Sequence, residues 1–232
     1  MTESDISLQQ TQHTLAIADV RCDCKYIIIT TEGDIDVTRP GQYCKLRYGD
    51  VEQYSAISNW PVIGRQQFII KSSSQFGRAF TENQPVNIQL VGHVAGGFDC
   101  TGITDKPVWL LAGGSGIAAI NALVEFIEHT SMPLQHRRVK VLYAESDDHF
   151  FDVDARSIDV CKVTTSGVLS DNPNTPILGM LTHLSGMNIV GTYPNVPIVF
   201  ACGAPAFIDR LRAGLVGIIP REDFRLNYEV DK

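Results

Sequence analysis

The run Val108-Trp109-Leu110-Leu111-Ala112 is apolar without a break and passes straight into Gly113-Gly114-Ser115-Gly116. A strand reads this way when both of its faces are buried, because neither meets water. Ile117 to about His129 then carries helical spacing, so this stretch is a strand, a tight glycine turn and a helix. Val139 to Tyr143 and Val196 to Ala201 repeat the apolar-strand pattern. A helix is expected after each, most plainly over Ala206 to Val216, before a last strand at Phe224 to Val230. Strands alternating with helices imply a parallel α/β sheet, since parallel neighbours need a crossover.

The preceding hundred residues have another rhythm. Tyr26 to Thr31 is β-branched and aromatic, Gln42 to Tyr48 alternates polar and apolar, and Gln67 to Lys71 and Val86 to Val91 follow. Glu32-Gly33-Asp34, Arg39-Pro40-Gly41, Tyr48-Gly49-Asp50 and Asn83-Gln84-Pro85 punctuate them as turns. Short strands at close spacing imply a small antiparallel β-barrel. The chain therefore divides into two domains, a barrel over residues 1–104 and an α/β parallel-sheet domain over 105–232. The boundary falls where Gly102, Asp105 and Pro107 cluster.

Composition narrows the partners. With 232 residues, 44% of them hydrophobic, the chain can bury a core without staples. The net charge of −7 is spread over both halves and neither carries a basic stripe, so no nucleic-acid partner is expected. No apolar run reaches the ~18 residues of a membrane span, and the polar, acidic start Met1-Thr2-Glu3-Ser4-Asp5 is unlike a targeting segment. Six scattered cysteines imply reduced thiols and a cytoplasmic location, with no membrane partner. Neither the cysteines nor the six histidines show metal-ligand spacing, so no metal is expected.

Two loops carry the functional signal. Glycines let the backbone of Gly113 to Gly116 turn sharply and approach a ligand, and the helix that follows offers free N–H groups to a phosphate. The same residues also suit a tight turn with no ligand. Phe200-Ala201-Cys202-Gly203-Ala204-Pro205 is a second strand end opening into a helix. In a parallel sheet the crevice lies outside the carboxyl ends of the strands, which sets Cys202 beside the glycine turn. A Cys there serves packing or function equally well.

Taken in chain order, Arg39-Pro40-Gly41-Gln42-Tyr43, Tyr54-Ser55, Gly77, Ala112 to Gly116, Tyr143-Ala144, Cys202 to Pro205 and Tyr228-Glu229 resemble the motif series of the ferredoxin–NADP reductase superfamily. In size the chain is nearest to its NAD(P)H–flavin reductases, and the likeness runs from about residue 14 to 232. The resemblance implies a flavin (FAD or FMN) on the barrel and a nicotinamide dinucleotide on the α/β domain. It implies hydride transfer from nicotinamide C4 to flavin N5 where the domains meet.

Residue by residue, the resemblance implies that Ser55, Cys202 and Glu229 stand at the reacting centre. Ser55 would hydrogen-bond near N5, Cys202 would lie against the nicotinamide, and Glu229 would close the polar side. Tyr54 would pack on the isoalloxazine, and the backbone of Ala56, Ile57 and Ser58 would serve its polar edge. Ile70, Lys71, Gly77 and Arg78 fall where the flavin phosphate is met. Gly113, Gly114, Ser115 and Gly116 would take the dinucleotide pyrophosphate, Glu145 and Ser146 its ribose, while Gly203 and Pro205 shape the loop beside Cys202.

Two departures change the expectation. Glu52 stands where the superfamily has an arginine for the flavin phosphate, so repulsion and weak, exchangeable flavin binding are expected. Val230 follows Glu229 where an aromatic often stands. The acidic strand end Glu145-Ser146-Asp147-Asp148 opposes a 2′-phosphate, which favours NADH over NADPH. The resulting expectation is an oxidoreductase passing electrons from NADH through flavin to free flavin or to a separate redox protein. Two rivals remain: a reductase subunit of a multicomponent oxygenase, and a non-catalytic nucleotide-sensing or partner-binding module that has lost its flavin.

Overall fold

The computed structural model describes residues 12–23, 25–61, 63–103, 106–130, 139–146, 151–153, 158–164 and 196–228. Six antiparallel strands form a half-barrel: β1 (Gln12–Asp23), β2 (Tyr26–Glu32), β3 (Gln42–Tyr48), β4 (Val51–Ala56), β5 (Arg65–Lys71) and β6 (Asn87–Gly96). Their order across the sheet is β4-β3-β6-β1-β2-β5. A short helix, α1 (Gln75–Asn83), follows β5; the Ser74 side chain accepts from the Gly77 amide at its start, one of the free donors of a first turn.

The second sheet is parallel in all its pairings, with order β11-β10-β7-β8-β9. Its strands are β7 (Val108–Gly113), β8 (Val139–Glu145), β9 (Asp159–Thr164), β10 (Ile198–Cys202) and β11 (Phe224–Leu226). Helix α2 (Ile117–His129) leaves β7 through a turn at Gly114–Gly116, and α3 (Pro205–Leu215) leaves β10. The helix expected from Ala206 begins one residue earlier, because Pro205 has no N–H to lose at a first helical position. The chain runs outward from β7 to β8 and β9 and then returns to β10 on β7's other side. The strand order therefore reverses between β7 and β10, and their carboxyl ends form the crevice.

One apolar cluster joins the two sheets, and the half-barrel keeps a second core of its own. In β2, Ile27 and Ile29 point into the barrel core with Phe68 and Ile70 of β5. Tyr26, Ile28 and Ile69 alternate to the opposite face and join Phe98, Leu110, Ile120 and Tyr143 in the core of the α/β domain. Helix α2 lies in this seam, which is why Ile117 through Val124 are all buried rather than confined to one stripe. Its polar contacts also cross the seam: Asn121 Nδ2 donates to the Ser58 carbonyl at 2.8 Å, and Glu125 Oε2 accepts from the Trp60 amide at 2.6 Å. Among the described residues no helix is long and apolar enough to cross a membrane.

Candidate functional site

A cleft of about 730 Å³ opens between the half-barrel and the carboxyl ends of β7, β8 and β10. That is the size of a small-molecule or cofactor site. The barrel contributes Tyr54, Ser55 and Ala56 from the end of β4, and Ile69 and Lys71 from β5. Alternation along β4 turns Tyr54 outward, where 66% of it is exposed, a large share for an aromatic ring. Tyr43 packs edge-on against it with centroids 6.1 Å apart, and the Lys45 ammonium sits 5.4 Å from the Tyr54 centroid. Ser55 is buried, and the one hydrogen bond of its hydroxyl among the described residues is a 3.5 Å contact to the Ala56 carbonyl. Such a bond is weak, so the hydroxyl is available to a ligand.

Lys71 ends β5 and reaches across the domain boundary. Its Nζ stands 3.2 Å from where a Cβ on Gly114 would be, and among the described residues no carboxylate pairs with it. A cation is thus held over the glycine turn. Gly114 has φ +55°, a left-handed conformation suited to glycine. Gly116 has a different reason: a Cβ there would overlap the carbonyl oxygen of Cys202. The β7 and β10 loops therefore touch backbone to backbone. Ser115 is exposed, and no side chain caps the start of α2.

Cys202, Gly203 and Pro205 line the same cleft. Burial pushes the Cys202 thiol up to about 12 from its usual 9.0, which keeps it protonated around pH 7. Tyr228 lies beside it, its hydroxyl also shifted upward by burial. Glu229 lies outside the described residues, as do Val230, Asp147 and Asp148.

Several expected site residues stand away from the cleft. Ile57 and Ile70 are fully buried in the barrel core. The strand face of β5 that opens to the cleft carries Ile69 and Lys71, one position either side of Ile70. Ser58 uses its hydroxyl and its amide on the Gln67 carbonyl, and its own carbonyl on Asn121. Gly77 packs on the Lys71 carbonyl inside α1, where a Cβ would collide, and Arg78 donates to the Ser73 carbonyl. Neither lines the cleft.

Glu145 and Ser146 are at the cleft wall, but Glu145 is already engaged. Its side chain is 1% exposed and accepts from Lys25 Nζ at 2.6 Å, from Tyr143 Oη at 2.7 Å and from the Tyr26 hydroxyl. The Ser146 amide donates to it at 3.2 Å. A carboxylate offers about four acceptor sites, and all are filled. The expectation that Glu145 takes a ribose hydroxyl is therefore corrected: its oxygens are already taken, two donors coming from its own domain and two from the half-barrel.

Glu52 also departs from expectation. It faces Arg47 across the β3–β4 ladder, pairs with it, and is 3.2 Å from Lys45. Hydrogen bonds from Arg47 and then Lys45 hold its carboxyl below the usual range. Two cations offset one anion, so the patch is not the isolated negative charge the sequence implied. Removing the carboxylate frees both cations. If a flavin phosphate docks beside this patch, as the sequence resemblance implies, Glu52→Gln is expected to tighten FMN binding several-fold in a fluorescence titration and to leave riboflavin, which has no phosphate, unaffected; equal effects on both would refute a phosphate contribution.

The remaining motif, Arg39 to Tyr43, is a turn secured by its own glutamine. Gln42 Oε1 accepts from the Thr38 and Arg39 amides at 2.7 and 3.0 Å. Sequence reading missed Ile69, Asn227 and Phe207 as cleft residues. Period-two alternation from Lys71 was the available signal for Ile69.

A half-barrel joined to a five-stranded parallel sheet, with a cleft at the strand-order reversal, is the two-domain ferredoxin–NADP reductase-like fold. Solved structures agree. The chain superposes on the ferredoxin reductase in carbazole 1,9a-dioxygenase with a TM-score of 0.73 and 19% identity, covering 96% of this chain and 70% of that one. It matches a ferredoxin NADP+ reductase from Neisseria gonorrhoeae with bound FAD and NADP at 0.69 and 16%, covering 94% and 98%. It matches the CS-b5R domains of human Ncb5or, in the NAD+ form, at 0.71 and 13%, covering 95% and 70%. No protein-family model and no curated protein sequence matches the chain. At these identities the likeness is one of fold.

Proposed function

We propose that the chain is a flavin-dependent oxidoreductase that takes reducing equivalents from NADH and passes them to free flavin or a separate redox protein. The observation that carries this reading is the cleft itself. An exposed aromatic ring and an available hydroxyl, Tyr54 and Ser55, face a glycine turn, a cation and a neutral thiol across one domain boundary. The bound flavin, FAD or FMN, would supply the two-electron to one-electron chemistry that side chains lack.

The protein's own part is placement. Tyr54 offers a flat apolar face, and Ser55 holds a hydroxyl proton at the cleft floor. Lys71 and the N–H groups opening α2 give a dinucleotide diphosphate its countercharge. Cys202, uncharged and polarisable, fills the space beside the reacting rings without competing for a proton. The buried seam behind Ile69 and Ala118 keeps water from the rear of the site.

A preference for NADH is supported by what lines the α/β half: no arginine or lysine from that domain reaches the cleft among the described residues. Among those residues a 2′-phosphate would find no cationic partner. Likeness to the carbazole 1,9a-dioxygenase reductase supports a second reading, in which the acceptor is the ferredoxin of an oxygenase system.

The test is an absorbance spectrum of the purified protein with FAD or FMN, before and after anaerobic NADH. Flavin bands that bleach with NADH, and more slowly with NADPH, are expected. A protein that neither binds flavin nor oxidises NADH with flavin in excess would instead be the non-catalytic module.

A further inference from the structure

The four donors on Glu145 divide evenly between the domains. Tyr143 and Ser146 belong to β8 and its exit, whereas Lys25 and Tyr26 stand at the start of β2 in the half-barrel. Each oxygen takes one donor from each side: Oε1 from Tyr26 and Tyr143, Oε2 from Lys25 and Ser146. The two hydroxyls are themselves 3.2 Å apart. A buried carboxylate satisfied in this way is fixed in place, and so are the strand ends that carry its partners.

Those strand ends lead to the two halves of the cleft. On the barrel side, Tyr26 pairs directly with Lys71 in the β2–β5 ladder, and the Lys25 carbonyl accepts from the Ser72 amide at 2.8 Å. On the α/β side, Ala144, next to Glu145, pairs with Gly113 at the mouth of the glycine turn. The carboxylate therefore joins the two ladders into one chain of contacts, running from Lys71 through β2 to Glu145 and along β8 to Gly113.

We propose that Glu145 is a positioning residue, an interdomain latch that holds the Lys71 ammonium over the Gly113–Gly116 turn. It acts on the dinucleotide through Lys25 and Tyr26 and does not touch the ribose. Where this concerns dinucleotide binding it rests on the function proposed above; the latch itself does not.

Two conservative variants, Glu145→Gln and Tyr26→Phe, and their double variant test it. Tyr26→Phe keeps the ring that packs edge-on against Phe151 and loses only the hydroxyl. Each single change is expected to lower the melting midpoint by about 4 °C, and the double by little more than either, because both remove one shared interaction. Additive losses would overturn the latch. In steady state the loss should fall on KM for NADH, about fivefold in either single variant, more than on kcat, with the NADH-to-NADPH preference unchanged. A change of nucleotide preference in Glu145→Gln, with Tyr26→Phe silent, would make Glu145 a ribose contact instead. If the parent protein oxidises neither nucleotide, the functional reading fails while the melting cycle still decides whether the latch exists.

Discussion

Replacing Lys71 with alanine is expected to raise the KM for NADH about thirtyfold. Lys71 is the one cation lining the cleft among the described residues, and its Nζ stands over Gly114 with no carboxylate to share it. Loss of a charge-assisted contact to a diphosphate costs ~2 kcal/mol, and each ~1.4 kcal/mol is tenfold. The side chain ends an already complete β5 ladder, so folding should be little affected. Lys71→Arg should recover much of the loss, and the salt dependence of KM should weaken in Lys71→Ala. An unchanged KM, measured at low ionic strength, would remove Lys71 from the nucleotide site.

Gly116→Ala should act through structure rather than binding. A methyl group there has nowhere to go, because the atoms it meets are the carbonyl of Cys202 and the amide of Gly203, both backbone. The β7 and β10 loops would have to separate at the point where each lines the cleft. Overpacking of this kind costs about 3 kcal/mol, which for a chain of this length is a fall of roughly 6–12 °C in melting midpoint. Dinucleotide binding should be lost together with stability. A variant that melts like the parent would show the loops free to part.

The long, strongly patterned elements were legible in the sequence. The buried run from Val108 and the helix from Ile117 to His129 stand where the apolar pattern places them. Helix α1 did not read as a helix, since its nine residues include Gly77 and follow three serines. Its evidence was only Ser74 as a cap and Phe76 and Phe80, four apart, whose rings stack in the core. Strand β1 has little hydrophobic alternation because it is largely exposed; its ladders with β2 and β6 hold it instead.

The site divides in the same way. Motifs on single strands, such as Tyr54-Ser55 and the glycine turn, could be found from local residue order. The fate of Glu145 could not, because its partners Lys25 and Tyr26 lie about 120 residues earlier in the chain. Glu52 is an intermediate case: Arg47 is only five residues away, but pairing them requires the hairpin register between β3 and β4.

The apolar interior that passes from Ile28 and Ile69 into the α/β domain bears on how such a chain can be dismantled or recombined. A barrel excised on its own would present Tyr26, Ile28, Ile69 and Phe98 to water as one sticky face. The excised parallel sheet would in turn lose the cover over helix α2. The two halves are therefore not interchangeable cassettes. A graft from another chain would have to bring a matching face with it, and shuffling at the boundary would yield aggregates rather than hybrids.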